Sequence, residues 1–162
     1  MESVSQTSLV LVRHGESRMN VAQTLSGQLE PNPLTELGRN QARELAQRLY
    51  LPQSFSLIYS SDLERGFETA QIIAEELGGA IVVTDPNLRN RNFGHLQGMP
   101  LDRVREELRP AQEAYDKLDD TGKYKFRFTD GMETDEELMI RFTSFLKRIL
   151  EENKGKSMLV VS

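Results

Sequence analysis

The chain has no cysteine, no tryptophan and only two histidines, His14 and His95, in 162 residues. Without cysteine there are no disulfides and no thiolate metal sites. Two isolated histidines indicate no metal site, and no cofactor is expected. No apolar run is long enough to cross a membrane, and the polar opening Met1 to Thr7 does not read as a signal peptide. A cytoplasmic protein without a membrane partner is therefore expected. The net charge of −5 argues against nucleic acid as the main partner. An anionic substrate would need its cations gathered locally. The hydrophobic content of 38% and charged content of 28% fit a globular chain, and 162 residues suit one domain spanning 1–162.

Apolar runs alternate with segments of helical period. Ser8–Val12, Ser56–Ser60, Ile81–Val83 and Ser157–Val161 read as strands. Helices are expected from Thr35, as N-cap, to about Tyr50 with Pro52 beyond, and from Leu63 to Leu77, capped by Asp62 and stopped by Gly78 and Gly79. Leu101–Lys117 is expected to be helical with an interruption near Pro110. A long helix is expected from Thr134 to about Asn153, with Leu138, Phe142, Phe145, Ile149 and Leu150 on its apolar side. Asn87 to Gly98 reads as loop, and Asp119 to Gly131 carries no clear pattern. This alternation predicts an α/β fold: three layers, a mostly parallel sheet with helices on both faces. The run Met158–Val161 is apolar enough for burial on both sides, so the fourth strand should lie inside the sheet beside the first.

The first strand ends in Arg13, His14 and Gly15. Strand carboxyl ends open onto the crevice where α/β proteins bind ligands. Arginine offers a donor fork that matches phosphate. Neutral histidine is a nucleophile near physiological pH. Glycine is expected to let a phosphate approach the backbone. The second strand runs into Ser60, Ser61, Asp62 and Arg65. In a parallel sheet Arg65 would enter the same crevice from the first turn of a helix.

Leu11 to Ser17 with Asn20, Leu34 to Ala42, Tyr59 to Arg65 with Thr69 and Ala70, Leu88 to Gly98, and Gly131 to Thr134 with Arg141 together resemble the motifs of the histidine phosphatase superfamily, phosphoglycerate mutase-like branch. They fall in the family's order over nearly the whole chain. The resemblance implies that His14 attacks phosphorus and becomes phosphohistidine. Arg13, Asn20 and Arg65 would bind the phosphate, and Ser26 and Gly27 would lie near the substrate. A metal-independent phosphomonoester phosphatase acting on a small phosphorylated substrate is expected. Phosphoglycerate mutase is the alternative, and a non-catalytic phosphate-binding or scaffold protein the second.

Two positions depart from the family pattern. The family's second pocket histidine would follow the strand Met158–Val161, where the sequence ends at Ser162, so the chain is expected to be part of a longer parent. Asn90 stands where the family usually has a glutamate acting as general acid. An amide cannot donate a proton in that way, though it can hydrogen-bond a leaving oxygen. Glu133 is a candidate replacement. His95 is not expected to be catalytic. Arg103, Arg105 and Arg109, mixed with Glu106 and Glu107, read as a solvated helix face. Lys123 to Phe128 reads as a cap segment from which Lys123 and Arg127 could reach an anionic substrate.

Overall fold

The computed structural model describes residues 6–49 and 55–162. The polar start Met1–Ser5, and Tyr50 and Pro52 at the expected helix end, lie outside the described residues.

Four strands, β1 (Ser8–Val12), β2 (Leu57–Ser60), β3 (Ile81–Thr84) and β4 (Ser157–Val161), form one parallel sheet in the order β1-β4-β2-β3. β4 comes last in sequence yet lies between β1 and β2, with Val12 opposite Val161 and Ser60 also opposite Val161. Alternation of side chains explains its composition. Leu159 and Val161 join Val12, Ile58, Ala42, Ala46, Ala70 and Ile73 on one face, while Met158 and Val160 pack with Tyr59, Leu88, Phe145 and Ile149 on the other. Helices α2 (Glu36–Leu49) and α3 (Glu64–Glu76) cover the first face and α6 (Asp135–Glu152) the second. The expected three-layer α/β fold is present. Among the described strands β1 lies at one edge, and its Leu11 is 59% exposed.

Several local expectations meet tertiary corrections. Asp62 does not cap α3: Leu63 occupies the N-cap position, and the Glu64 amide donates at 3.0 Å to the Glu30 carboxylate from a distant loop. Asp62 instead receives Arg89 Nε at 2.6 Å and Nη2 at 2.5 Å. Helix α4 (Leu101–Tyr115) runs through Pro110 without interruption. Pro110 lies on the exposed side, where solvent can satisfy the carbonyl that loses its partner. The segment without a pattern contains the short helix α5 (Asp120–Lys125), capped by Asp119, whose side chain accepts from the Gly122 amide. Phe126 and Phe128, just beyond it, form an aromatic trio with Tyr115. On α6, Thr134 and Glu137 form a reciprocal capping box, and Leu150 is exposed rather than packed.

Gly15 has a different role from the one the sequence suggests. A Cβ there would lie 2.4 Å from the Gly38 carbonyl oxygen, and one on Gly38 would lie 2.1 Å from that of Glu16. The two glycines let the turn after β1 pack directly on the start of α2. Gly38→Ala is expected to destabilise the fold by about 3 kcal/mol, because backbone on both sides leaves nothing that can yield. Urea unfolding would show this as a lower midpoint. An unchanged midpoint would mean that the turn and helix separate at no cost.

Candidate active site

The carboxyl ends of β1, β4 and β2 border a cleft of about 340 Å³ lined by Arg13, His14, Ser61, Leu63, Arg65, Asn90 and Ser162. The sheet ladder continues past the strands to shape it. The His14 amide donates to the Ser162 carbonyl at 2.9 Å, and the Ser61 amide to that of Val161 at 3.1 Å. Side chains after three different strands thus meet at one edge.

The His14 ring is oriented from both sides. Its Nδ1 lies 2.7 Å from the Gly15 carbonyl, an acceptor only, so Nδ1 carries the proton and donates. Nε2 is then the unprotonated nitrogen, and it accepts from Arg65 Nε at 3.2 Å. Burial lowers the His14 pKa, and the charges of Arg65 and Arg13 add to this. The Gly15 hydrogen bond opposes them, and the result is a pKa near 4 against an ordinary 6.5. The ring is therefore neutral throughout the physiological range.

An NMR titration of the phosphate-free protein is expected to show this resonance moving near pH 4. A midpoint close to 6.5 would mean that neither burial nor the arginines act on it. The sign for stability follows. The unfolded chain takes up this proton near 6.5 while the folded one resists until about 4. Acidification through that window weakens the fold, and the contribution is whole above it.

Arg65 occupies the first turn of α3, as the sequence predicts, and is 1% exposed. Its Nη2 donates to the Gly27 carbonyl at 2.7 Å, and Nη1 lies 3.7 Å from Glu30 Oε1. Nη1 has no hydrogen-bond partner among the described residues. Burial weighs against the charge of this group and Glu30 partly restores it. Thr69, one helical turn on, donates to the Arg65 carbonyl at 2.7 Å and accepts from the Gly15 amide at 3.1 Å. This hydroxyl ties the turn that carries His14 to the helix that carries Arg65. The Gly15 amide is thereby directed at Thr69 rather than at a ligand.

The remaining predicted residues divide. Arg13 and Asn90 line the cleft. Asn20 is exposed and is not brought into that lining; its Oδ1 accepts from the Ser17 amide and hydroxyl, both at 2.9 Å, opening helix α1 (Arg18–Val21). Ser26 and Gly27 are buried behind the cleft, where Gly27 holds Arg65 through its carbonyl. Asn90 Oδ1 accepts from the Arg91 amide at 2.7 Å, which leaves the Nδ2 donor for a ligand. Glu133 is gripped by Arg141, Nε at 2.6 Å and Nη2 at 2.9 Å.

Arg127 faces a neighbouring cleft, where Arg89, Arg127 and Arg141 are each paired with a carboxylate. Lys123 lies over the Tyr115 ring at 5.6 Å, and His95 pairs with Glu107 at the surface. Ser61, Leu63 and Ser162 line the cleft without having been assigned roles by sequence reasoning. The signal for Ser61 and Ser162 was available, since each follows a strand of a parallel sheet.

Among the described residues no three His, Asp or Glu side chains are grouped to hold a metal ion, and no helix is long and apolar enough to cross a membrane. The family model of the histidine phosphatase superfamily (branch 1) matches residues 9–162. The chain belongs to this superfamily. The likeness read from the spaced motifs is thereby borne out. Phosphoglycerate mutase-like protein 4 of Arabidopsis thaliana is 39% identical over 161 residues, which is 99% of this chain and 68% of that protein. Among solved structures, Bacillus stearothermophilus YhfR superposes with a TM-score of 0.82 at 28% identity, over 96% of this chain and 73% of that one. A mycobacterial glucosyl-3-phosphoglycerate phosphatase in complex with VO3 gives 0.79 at 26% identity, over 95% and 74%. Histidine phosphatase relatives of this chain thus carry both mutase and phosphatase names.

Proposed function

We propose that this histidine phosphatase homologue is a metal-independent phosphatase that takes the phosphoryl group of a small substrate onto His14 Nε2. One arrangement carries the reading: a neutral, oriented nucleophile beside a buried guanidinium whose Nη1 has no hydrogen-bond partner among the described residues. A phosphoryl oxygen would take the place of His14 Nε2 before Arg65 Nε, and Arg13 adds a second cation at the rim. Phosphoryl transfer asks a protein mainly for positioning and charge. The three equatorial oxygens would be balanced by Arg13 and Arg65, with Asn90 as a neutral donor toward the leaving group.

The test is a quench of the full-length protein during turnover of labelled p-nitrophenyl phosphate in the presence of EDTA. Label that is stable to base and labile to acid, and that maps to His14, is expected. Label elsewhere, or turnover that EDTA abolishes, would refute the reading.

A further inference from the structure

Among the described residues, none that lines the cleft holding His14 is a proton donor of carboxylic type. Its lining is two arginines, the histidine, two serines, a leucine and an asparagine. The carboxylates around it are committed as acceptors. Asp62 takes both nitrogens of Arg89 and its pKa is lowered by them. Glu133 takes two nitrogens of Arg141. Glu30 accepts the amides of Asn32 and Glu64 and faces Arg65. Each uses its oxygens to accept hydrogen bonds in this arrangement, not to donate one toward His14. The hydroxyls of Ser61 and Ser162 are too weakly acidic to replace them.

This matters differently for different leaving groups. An alkoxide must be protonated as it departs, and a positioned acid is worth about 10²–10⁴ in rate. A carboxylate or an acidic phenolate leaves as a stable anion and gains little from one. Building on the phosphatase reading above, we propose that the site serves phosphoryl donors whose leaving group departs unprotonated: acyl phosphates, and enol or aryl esters of comparable acidity. The lone pair of His14 Nε2 forms the N–P bond while the bond from phosphorus to the leaving oxygen breaks. The electron pair leaves on that oxygen and no proton moves. Asn90 Nδ2 steadies the departing anion by a hydrogen bond and keeps its protons. Water then attacks phosphorus, the N–P bond breaks, its pair returns to Nε2, and the water proton passes to solvent with release of inorganic phosphate.

The experiment measures phosphoenzyme formation in single turnovers, with His14→Ala protein as the background. The donors are acetyl phosphate, glycerol phosphate and a series of aryl phosphates from strongly to weakly acidic phenols. The wild-type rate is expected to fall steeply as the phenol becomes less acidic, with acetyl phosphate fast and glycerol phosphate at background. Asn90→Glu should flatten the dependence and raise glycerol phosphate by about a hundredfold. The wild-type series decides the question even if that variant does not fold. Glycerol phosphate reacting as fast as acetyl phosphate, or a shallow aryl series, would overturn this proposal and leave the phosphatase reading intact. No phosphoenzyme from any donor would remove both.

Discussion

His14→Ala is expected to reduce hydrolysis to background, a loss of at least about ten-thousandfold, and to abolish covalent labelling. The expectation rests on orientation as much as on residue type. The Gly15 carbonyl fixes the proton on Nδ1, and Arg65 Nε points at Nε2, so a single nitrogen is presented to the cleft. No other side chain lining the cleft is a nucleophile of comparable strength near neutral pH. The substitution should not harm the fold, because the ring resists protonation where it sits. The alanine protein should therefore lose less stability on mild acidification than the wild type. Retention of near-normal turnover by a folded His14→Ala protein would refute the phosphohistidine mechanism.

Arg65→Ala is expected to lower turnover by about 10²–10³, through loss of charge aimed at the transferring group. Arg65 is buried, so the alanine variant also loses packing and leaves the Gly27 carbonyl without its donor. Arg65→Lys separates the two effects. Lysine keeps a charge but not the planar fork that reaches His14 and Gly27 together. It should fold with a near-normal melting temperature and still lose most of kcat. Recovery of full activity in the lysine protein would show that charge alone suffices and that the fork geometry is incidental.

Much of this arrangement is legible in the sequence because the signals are local. β1 and β4 stand out as apolar runs, Thr134 as the opening of a long helix, and Arg13–His14 and Arg65 as polar residues placed after strands. The parallel pairing then brings those ends together. What could not be read depends on partners distant in sequence. Gly15 carries no mark of the helix glycine that packs against it. Asp62 has the right residue type and place for a cap, yet Arg89 claims its carboxylate and Glu30 reaches the helix start instead. Asn20 resembles a phosphate ligand by motif, but its oxygen closes a turn with Ser17. The helix after Asp119 is short, and the aromatic packing beside it appears only once Tyr115 lies next to Phe126 and Phe128.

The position of β4 has a consequence for how the protein is made. β1 and β2 never touch as neighbours; each pairs with a strand that emerges from the ribosome only after both have been waiting. Ser8 and Ser157, whose hydroxyls meet at 2.7 Å, are separated by 149 positions. Contacts of such long range make folding slow, because the loop they close must be ordered before anything is gained. A nascent chain that has reached α6 therefore exposes two unpaired strand edges and the apolar residues meant for the central strand, a condition prone to aggregation. The same late strand delivers Ser162 to the amide of His14. Insertion of β4 between β1 and β2 and formation of the cleft edge that holds His14 are thus one event, and a nascent chain stopped before β4 should carry neither.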